Sequence, residues 1–171
     1  MAQRKTRKAP AKKRAAPRKA PVKPIPDGYH AITPYLCVDG ASKAIDWYKK
    51  ALGARERMRM DMPGGKIGHA ELQLGDSVVM LADEYAEMDF LSPGKRGGTP
   101  VTLHFYVRKV DAAVARAVAA GAKVLRPLKD EFYGDRNCTL QDPFGHVWHL
   151  SQHVRDVSMK EMRAAMKAKA A

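Results

Sequence analysis

The chain has 171 residues and a formal net charge of +13, and 45% of its residues are apolar. These values fit one globular domain with a hydrophobic core, and no apolar run approaches the roughly 20 residues of a membrane-spanning helix. The two cysteines, Cys37 and Cys138, are too few for a disulfide scaffold, so we expect a cytoplasmic protein.

The positive charge is concentrated at the N-terminus. Residues 1–24 contain ten Lys and Arg and no acidic residue, whereas the rest of the chain carries 21 basic and 18 acidic residues. Rich in proline and nearly without large apolar side chains, residues 1–27 are predicted to form a disordered basic tail. Cations on such a tail attract polyanions without sequence specificity. Non-specific nucleic-acid binding through residues 1–24, with a nucleoid-associated location, is therefore one candidate function.

The first predicted elements form a strand–helix–three-strand unit. Alternating apolar and polar residues predict a strand over 32–38. The next segment, 41–52, has helical spacing and is followed by Gly53, a typical helix C-cap. The apolar stripe of this helix consists of Ala41, Ala44, Ile45, Tyr48 and Leu52. Three strands are predicted after it, over 55–61, 66–74 and 77–82, with glycine-containing turns between them.

The same order recurs after a linker over 83–99. A strand over 101–107 precedes a helix that we expect Asp111 to cap, with Val114 and Val118 on its buried stripe and Gly121 at its end. Three strands follow, over 123–128, 136–140 and 146–151, with a turn at 142–145. Ser158 and Glu161 have the spacing of a capping box, which predicts a short C-terminal helix.

These patterns predict an α+β fold with two tandem βαβββ units. The units span 29–84 and 100–153 of a domain over 28–155, and residues 156–171 form a C-terminal helix or tail. Two helices cannot cover both faces of eight strands. We therefore expect a curved mixed sheet with the helices on its outer face and a cavity on its inner face.

Strand alternation sorts the side chains between these two faces. Apolar residues such as Ile32, Leu36 and Val38 are expected to face the helices, which directs polar residues into the cavity. The predicted ligand-binding residues are Thr33, Tyr35, Gln73, Thr102, Tyr106 and Ser151. The predicted candidates for acid/base or metal chemistry are His69, Glu71, His104 and His149.

The sequence resembles the vicinal oxygen chelate superfamily of glyoxalases, bleomycin-resistance proteins and dioxygenases. The resemblance rests on the repeated unit and on the segments 44–48 (Ala-Ile-Asp-Trp-Tyr) and 142–146 (Asp-Pro-Phe-Gly-His). The segments 33–36, 69–72 and 79–81 resemble its PhnB-like branch. The resemblance implies a homodimer that binds a small molecule. It also implies metal-ligand positions at Thr33, Met80, Thr102 and His149, of which only His149 is an ordinary ligand.

The sequence favours binding of a small polar molecule in the cavity, without the usual metal-ligand set and without a cofactor. An alternative is a lyase or isomerase that uses His69, Glu71, His104 or His149, by acid/base chemistry or with a divalent metal at a displaced site. The sequence leaves open which ligand binds, and whether the two units of one chain pair with each other or with those of a partner.

Overall fold

The computed structural model describes residues 22–170. Most of the predicted basic tail, residues 1–21, lies outside the described residues. Within them, no helix is both long and apolar enough to cross a membrane. The strands and main helices are, in chain order, β1 (Tyr35–Val38), α1 (Ala41–Leu52), β2 (Arg55–Asp61), β3 (Ile67–Leu74), β4 (Ser77–Asp83), α2 (Pro93–Arg96), β5 (Thr102–Tyr106), α3 (Val110–Ala119), β6 (Lys123–Asp130), β7 (Asp135–Gln141), β8 (Val147–His153) and α4 (Met159–Ala170).

The strands form two four-stranded mixed sheets, one from each predicted unit. Their strand orders are β1-β4-β3-β2 and β5-β8-β7-β6. In each sheet the first strand along the chain is parallel to its neighbour, the fourth (β1 to β4, and β5 to β8). The other neighbouring strands are antiparallel. The prediction of an α+β fold with two tandem βαβββ units is confirmed. The two sheets are hydrogen-bonded separately and are not closed into one.

Helix α1 forms with the predicted bounds and buries the predicted stripe. Its N-cap residue, Gly40, has no side chain to accept hydrogen bonds from the first backbone N–H groups. The side chain of Asp83, at the end of β4, accepts them instead. Oδ1 of Asp83 accepts hydrogen bonds from the backbone N–H groups of Gly40 and Ala41 at 3.0 and 2.8 Å. Gly53 ends the helix at φ 72°. The last strand of the unit therefore fixes the position of the helix.

Helix α3 differs from its prediction. It begins at Val110, so Asp111 lies inside the first turn and the prediction that it caps the helix is wrong. The Asp111 carboxylate instead pairs with Arg136 at 2.8 Å. The buried stripe consists of Val110, Ala113 and Ala117, and Val118 is 43% exposed, contrary to prediction. Small alanines on this face let α3 pack closely against α1.

The two units share one hydrophobic core, built from α1, α3 and the apolar face of each sheet. The ring of Tyr48 on α1 lies 5.7 Å from that of Trp148 on β8. The indole N–H of Trp47 donates a 2.7 Å hydrogen bond to the carbonyl of Ala120, just beyond α3. Because each sheet turns its apolar face toward this core, its polar face is directed away from it. Ile32 precedes β1 and is 86% exposed, so its predicted position facing the helices is wrong.

The C-terminal helix begins as predicted. The backbone N–H and the hydroxyl of Ser158 contact Oε2 of Glu161 at 2.8 and 2.6 Å. The backbone N–H of Glu161 donates in return to the Ser158 hydroxyl at 3.3 Å. This reciprocal pair is a capping box.

Candidate functional site

The polar face of the first sheet is defined by the pairing of its strands. Residues opposite one another in register share a face. One row packs on the core and consists of Arg59, Ala70, Leu81 and Leu36. The adjacent row points away from the core and consists of Met58, Glu71, Met80 and Tyr35. This polar face therefore combines one carboxylate with thioether and phenol side chains.

Glu71 is the centre of a hydrogen-bonded cluster on this face. Its side chain is 8% exposed and accepts a hydrogen bond from the hydroxyl of Tyr29, which precedes β1. Nε2 of His69 lies 3.4 Å from Oε1 of Glu71, and Nε of Arg57 lies 4.0 Å from Oε2. The hydroxyl of Tyr35 lies 3.1 Å from Nδ1 of His69. Two predicted catalytic candidates, His69 and Glu71, are thus brought together.

These contacts keep Glu71 ionised. Burial raises the pKa of its carboxyl, but hydrogen bonds from Tyr29 and His69 and the charge of Arg57 outweigh burial and lower the pKa overall. A carboxylate with a lowered pKa and occupied lone pairs is a weak general base. The arrangement suits an anchor better than a proton acceptor.

The polar face of the second sheet has a different character. The core-facing row is apolar and consists of Val124, Leu140, Trp148 and Leu103. The adjacent row, directed away from the core, consists of Arg126, Thr139, His149 and His104. One residue comes from each of the four strands, so the row crosses the whole sheet and contains no carboxylate.

The two imidazoles of this row form a second cluster. The rings of His104 and His149 are 5.8 Å apart, and His104 lies 4.7 Å from the ring of Tyr106. Nδ1 of His149 is 2.9 Å from the hydroxyl of Thr139. Burial, followed by the charges of His104 and Arg126, lowers the pKa of His149. His149 is therefore a neutral imidazole at neutral pH, oriented by Thr139.

Ser151 lies on the same face, two residues beyond His149. It pairs in register with Asn137 and Tyr106 and is 0% exposed. Within residues 22–170, its hydroxyl oxygen is the one buried side-chain N or O atom without a hydrogen-bond partner. Leaving a buried hydroxyl unpaired is unfavourable, so this group lowers the stability of the folded chain.

The structure places the predicted site residues in two clusters, one on each sheet. Tyr35, His69 and Glu71 lie in the first cluster, whereas the second contains His104, Tyr106, His149 and Ser151. Among residues 22–170, no hydrogen bond, ion pair or ring contact joins the polar side chains of one face to those of the other. Gln73 donates to the carbonyl of Gly75 at 3.1 Å and serves the β3–β4 turn.

A groove of about 660 Å³ lies between β1 and the segment that links the units. Its lining includes Tyr35, Cys37, Phe90, Arg96 and His146. Of the predicted site residues, Tyr35 alone lines it. Burial raises the pKa of the Cys37 thiol to about 11, so the thiol is not a ready nucleophile.

Comparison with known proteins identifies the family. The model of the Glyoxalase/Bleomycin resistance protein/Dioxygenase superfamily matches residues 28–150. The chain belongs to this superfamily. An uncharacterized protein of Mycobacterium tuberculosis is 47% identical over 139 residues, which are 80% of this chain and 82% of that relative.

Solved structures show that the superfamily fold is shared. TioX from Micromonospora sp. ML1 is 30% identical, with a TM-score of 0.58 over 72% of this chain and 98% of TioX. A PhnB protein from Bacillus cereus has a TM-score of 0.57 at 20% identity, over 72% of this chain and 99% of its own. The second likeness is evidence for the fold alone.

The positions that hold a metal in metal-using members of the superfamily do not fit one here. Thr33 lies two residues before β1, and Met80 pairs in register with Tyr35. Thr102 pairs with Val147, so only His149 offers an ordinary ligand, and its register partner is His104. Two hydroxyls and a thioether do not replace carboxylates and imidazoles. Among residues 22–170, no group of three or more His, Cys, Asp or Glu is placed to hold a metal ion.

Several residues of these clusters were not among those predicted. Tyr29 precedes β1, Arg57 lies on β2, and both contact Glu71. The guanidinium of Arg57 lies 4.5 Å from the centre of the Tyr29 ring. Arg126 and Thr139 complete the row that contains His149. Aligning all four strands of the second unit in register would have identified Arg126 and Thr139. No sequence signal points to Tyr29.

Proposed function

We propose that this chain binds a small molecule against its polar sheet faces, without a metal at the usual positions of the superfamily. The observation that carries the proposal is the neutral imidazole of His149, which Thr139 orients through Nδ1 and which lies beside His104 on the polar face of the second sheet. A small number of polar groups that fix the orientation of a ligand is typical of small-molecule sites.

We infer that two copies of the chain complete the binding cavity. Among residues 22–170, neither polar face lies opposite the other, because both sheets turn their other face to the shared core. Tyr35 and Tyr106 are 48% and 58% exposed on these faces, and β1 and β5 are the edge strands of their sheets. In a homodimer, the first-unit face of one copy lies opposite the second-unit face of its partner. Both clusters then line each cavity.

Binding fits the geometry better than acid/base catalysis does. The carboxylate of Glu71 is engaged by Tyr29, His69 and Arg57, so it is poorly placed to remove a proton from a substrate. His149 is neutral and hydrogen-bonded through Nδ1, which leaves Nε2 as a site for a ligand.

The proposal is tested by measuring assembly and ligand binding on the full chain. Sedimentation equilibrium should give a dimer, and a thermal-shift panel of carboxylates, amines, sugars and nucleosides should contain compounds that raise the melting temperature. His149→Gln should abolish that increase, whereas the control His30→Gln, at an exposed position before β1, should not. A chain that stays monomeric at all concentrations, or binding that survives His149→Gln, would refute the proposal.

A further inference from the structure

The polar face of the second sheet has a strongly one-sided charge. Three adjacent rows cross its four strands in register, and none of their members is acidic. The rows contain Lys123, Gln141, Val147 and Thr102; Arg126, Thr139, His149 and His104; and Lys129, Asn137, Ser151 and Tyr106. Three of these twelve positions are Lys or Arg, so the side chains of the three rows carry positive charge and no negative charge.

The acidic groups nearest to this face are already engaged. Asp135 is 4% exposed, accepts a 2.7 Å hydrogen bond from the hydroxyl of Tyr106, and contacts Nδ1 of His153 at 2.9 Å. Glu131 pairs with Lys129 at 3.2 Å. Arg126, in contrast, makes no ion pair with any residue between 22 and 170, and it is exposed in the row that contains His149 and His104. Its guanidinium is therefore free to take an anion from solution.

The donors around Arg126 match the oxygens of an acid group. A guanidinium presents a planar set of N–H groups that binds a carboxylate or phosphate bidentately. Its row also contains His149, two strands away, whose imidazole can donate or accept a hydrogen bond. The excess positive charge that helps to lower the pKa of His149 is neutralised when an anion binds here.

The face of the first sheet offers a different surface. Its row around Glu71 contains Met58, Met80 and Tyr35, and the next contains Met60. Thioethers are polarisable, and unbranched methionine adapts to varied apolar shapes. This surface suits the carbon skeleton of a ligand.

We propose that the ligand is a small organic anion. Its carboxylate or phosphate binds Arg126 and His149, and its carbon skeleton lies against the methionines of the first-unit face. This inference rests on the proposed function, because the two walls meet only when two copies form the cavity.

Three unbranched probes with eight carbon atoms each separate charge from hydrophobic contact: octanoate, octylammonium and octan-1-ol. Calorimetric titration of the full chain should show octanoate binding at least about tenfold more tightly than either of the others. Arg126→Gln should weaken octanoate by about tenfold or more and leave octan-1-ol unchanged. Arg163→Gln on exposed α4 is the matched control and should change neither. Octanoate should also protect His149 from diethylpyrocarbonate, a readout that needs no variant.

Equal binding of the three probes, or octanoate binding that is insensitive to Arg126→Gln, would overturn the proposal that the ligand is an anion. In that outcome, octan-1-ol binding that His149→Gln abolishes would still support the proposed function. If the protein is monomeric and binds none of the three probes and no member of the thermal-shift panel, both the proposed function and this inference fail.

Discussion

The hydroxyl of Tyr48 donates a 2.7 Å hydrogen bond to Oδ2 of Asp142, which lies 94 residues further along the chain. Oδ2 also accepts from the indole N–H of Trp148 at 2.9 Å. Oδ1 accepts from the backbone N–H groups of Phe144 and His146, both at 2.9 Å. A single buried carboxylate therefore closes the β7–β8 turn and holds α1 of the first unit against the second unit.

Tyr48→Phe should lower the free energy of unfolding by about 1–2 kcal/mol, because one buried hydrogen bond is lost while Trp148 still satisfies Oδ2. Asp142→Ala should cost about 3 kcal/mol or more, since it leaves four donors without their acceptor. Urea unfolding measures both, with the half-exposed Tyr35→Phe as a control expected to change stability by under about 0.5 kcal/mol. A cost for Tyr48→Phe no greater than that of the control would contradict the role of this contact.

Two glycines with positive φ provide a matched pair. Gly134 has φ +100°, and a Cβ there would overlap the carbonyl oxygen of Arg155, whereas Gly97 has φ +77° with nothing within 4 Å of a Cβ. Gly97→Ala should cost about 1–2 kcal/mol, from backbone strain alone. Gly134→Ala should cost more than about 3 kcal/mol, because strain and overlap combine. Thermal unfolding of the two variants would disprove this account if their losses were equal.

Local signals made most of the fold predictable. The spacing of α1, its C-cap at Gly53 and the capping box at Ser158 depend on neighbouring residues, and each element forms as predicted. The start of α3 and its buried stripe depend on packing against α1, which alternation cannot reveal, and there the predictions about Asp111 and Val118 failed.

The candidate site was only partly predictable for a similar reason. Alternation along single strands placed His104, His149 and Ser151 on one polar face, because that property is local to each strand. The separation of the two faces follows from the shared core, whose central contact joins Tyr48 to Asp142 across 94 positions. No pattern within either unit contains that information.

Ser151→Ala should make the free protein more stable, by about 1 kcal/mol, since it removes a buried hydroxyl without a partner. The contrasting variant is Thr139→Val, whose lost hydroxyl is hydrogen-bonded to His149, and which should therefore destabilise the protein. Chemical unfolding of the ligand-free chain tests both, and a loss of stability for Ser151→Ala would refute this reading of its hydroxyl.

The contribution of His153 to stability should depend on pH. Hydrogen bonds to the carboxylates of Asp135 and Asp156 raise the pKa of His153. A raised pKa means that the stabilisation is fully present below the unfolded value of about 6.5 and is lost as the pH rises through the folded pKa. His153→Gln should therefore lower the melting temperature at about pH 5.5 and have little effect at about pH 9. The exposed His30→Gln serves as control, and an equal loss at both pH values would count against the ion pair.

Protein purified without chelators should contain well under one divalent ion per chain. The reason is that the positions at Thr33, Met80 and Thr102 supply no ordinary ligand. Elemental analysis measures the metal content directly, and the melting temperature should not fall when the chelator EDTA is added. One tightly held zinc, nickel or iron ion per chain would show that a displaced set of ligands exists.

Because the two sheets share one core, neither repeat is expected to fold independently. Neither half of the duplication carries a complete interior, since Tyr48 of one and Trp148 of the other cover each other. Expressed alone, either half would expose the apolar face of its helix to water and should aggregate. A protease nick in the connecting segment, residues 84–101, should by contrast leave the two fragments associated as one folded body.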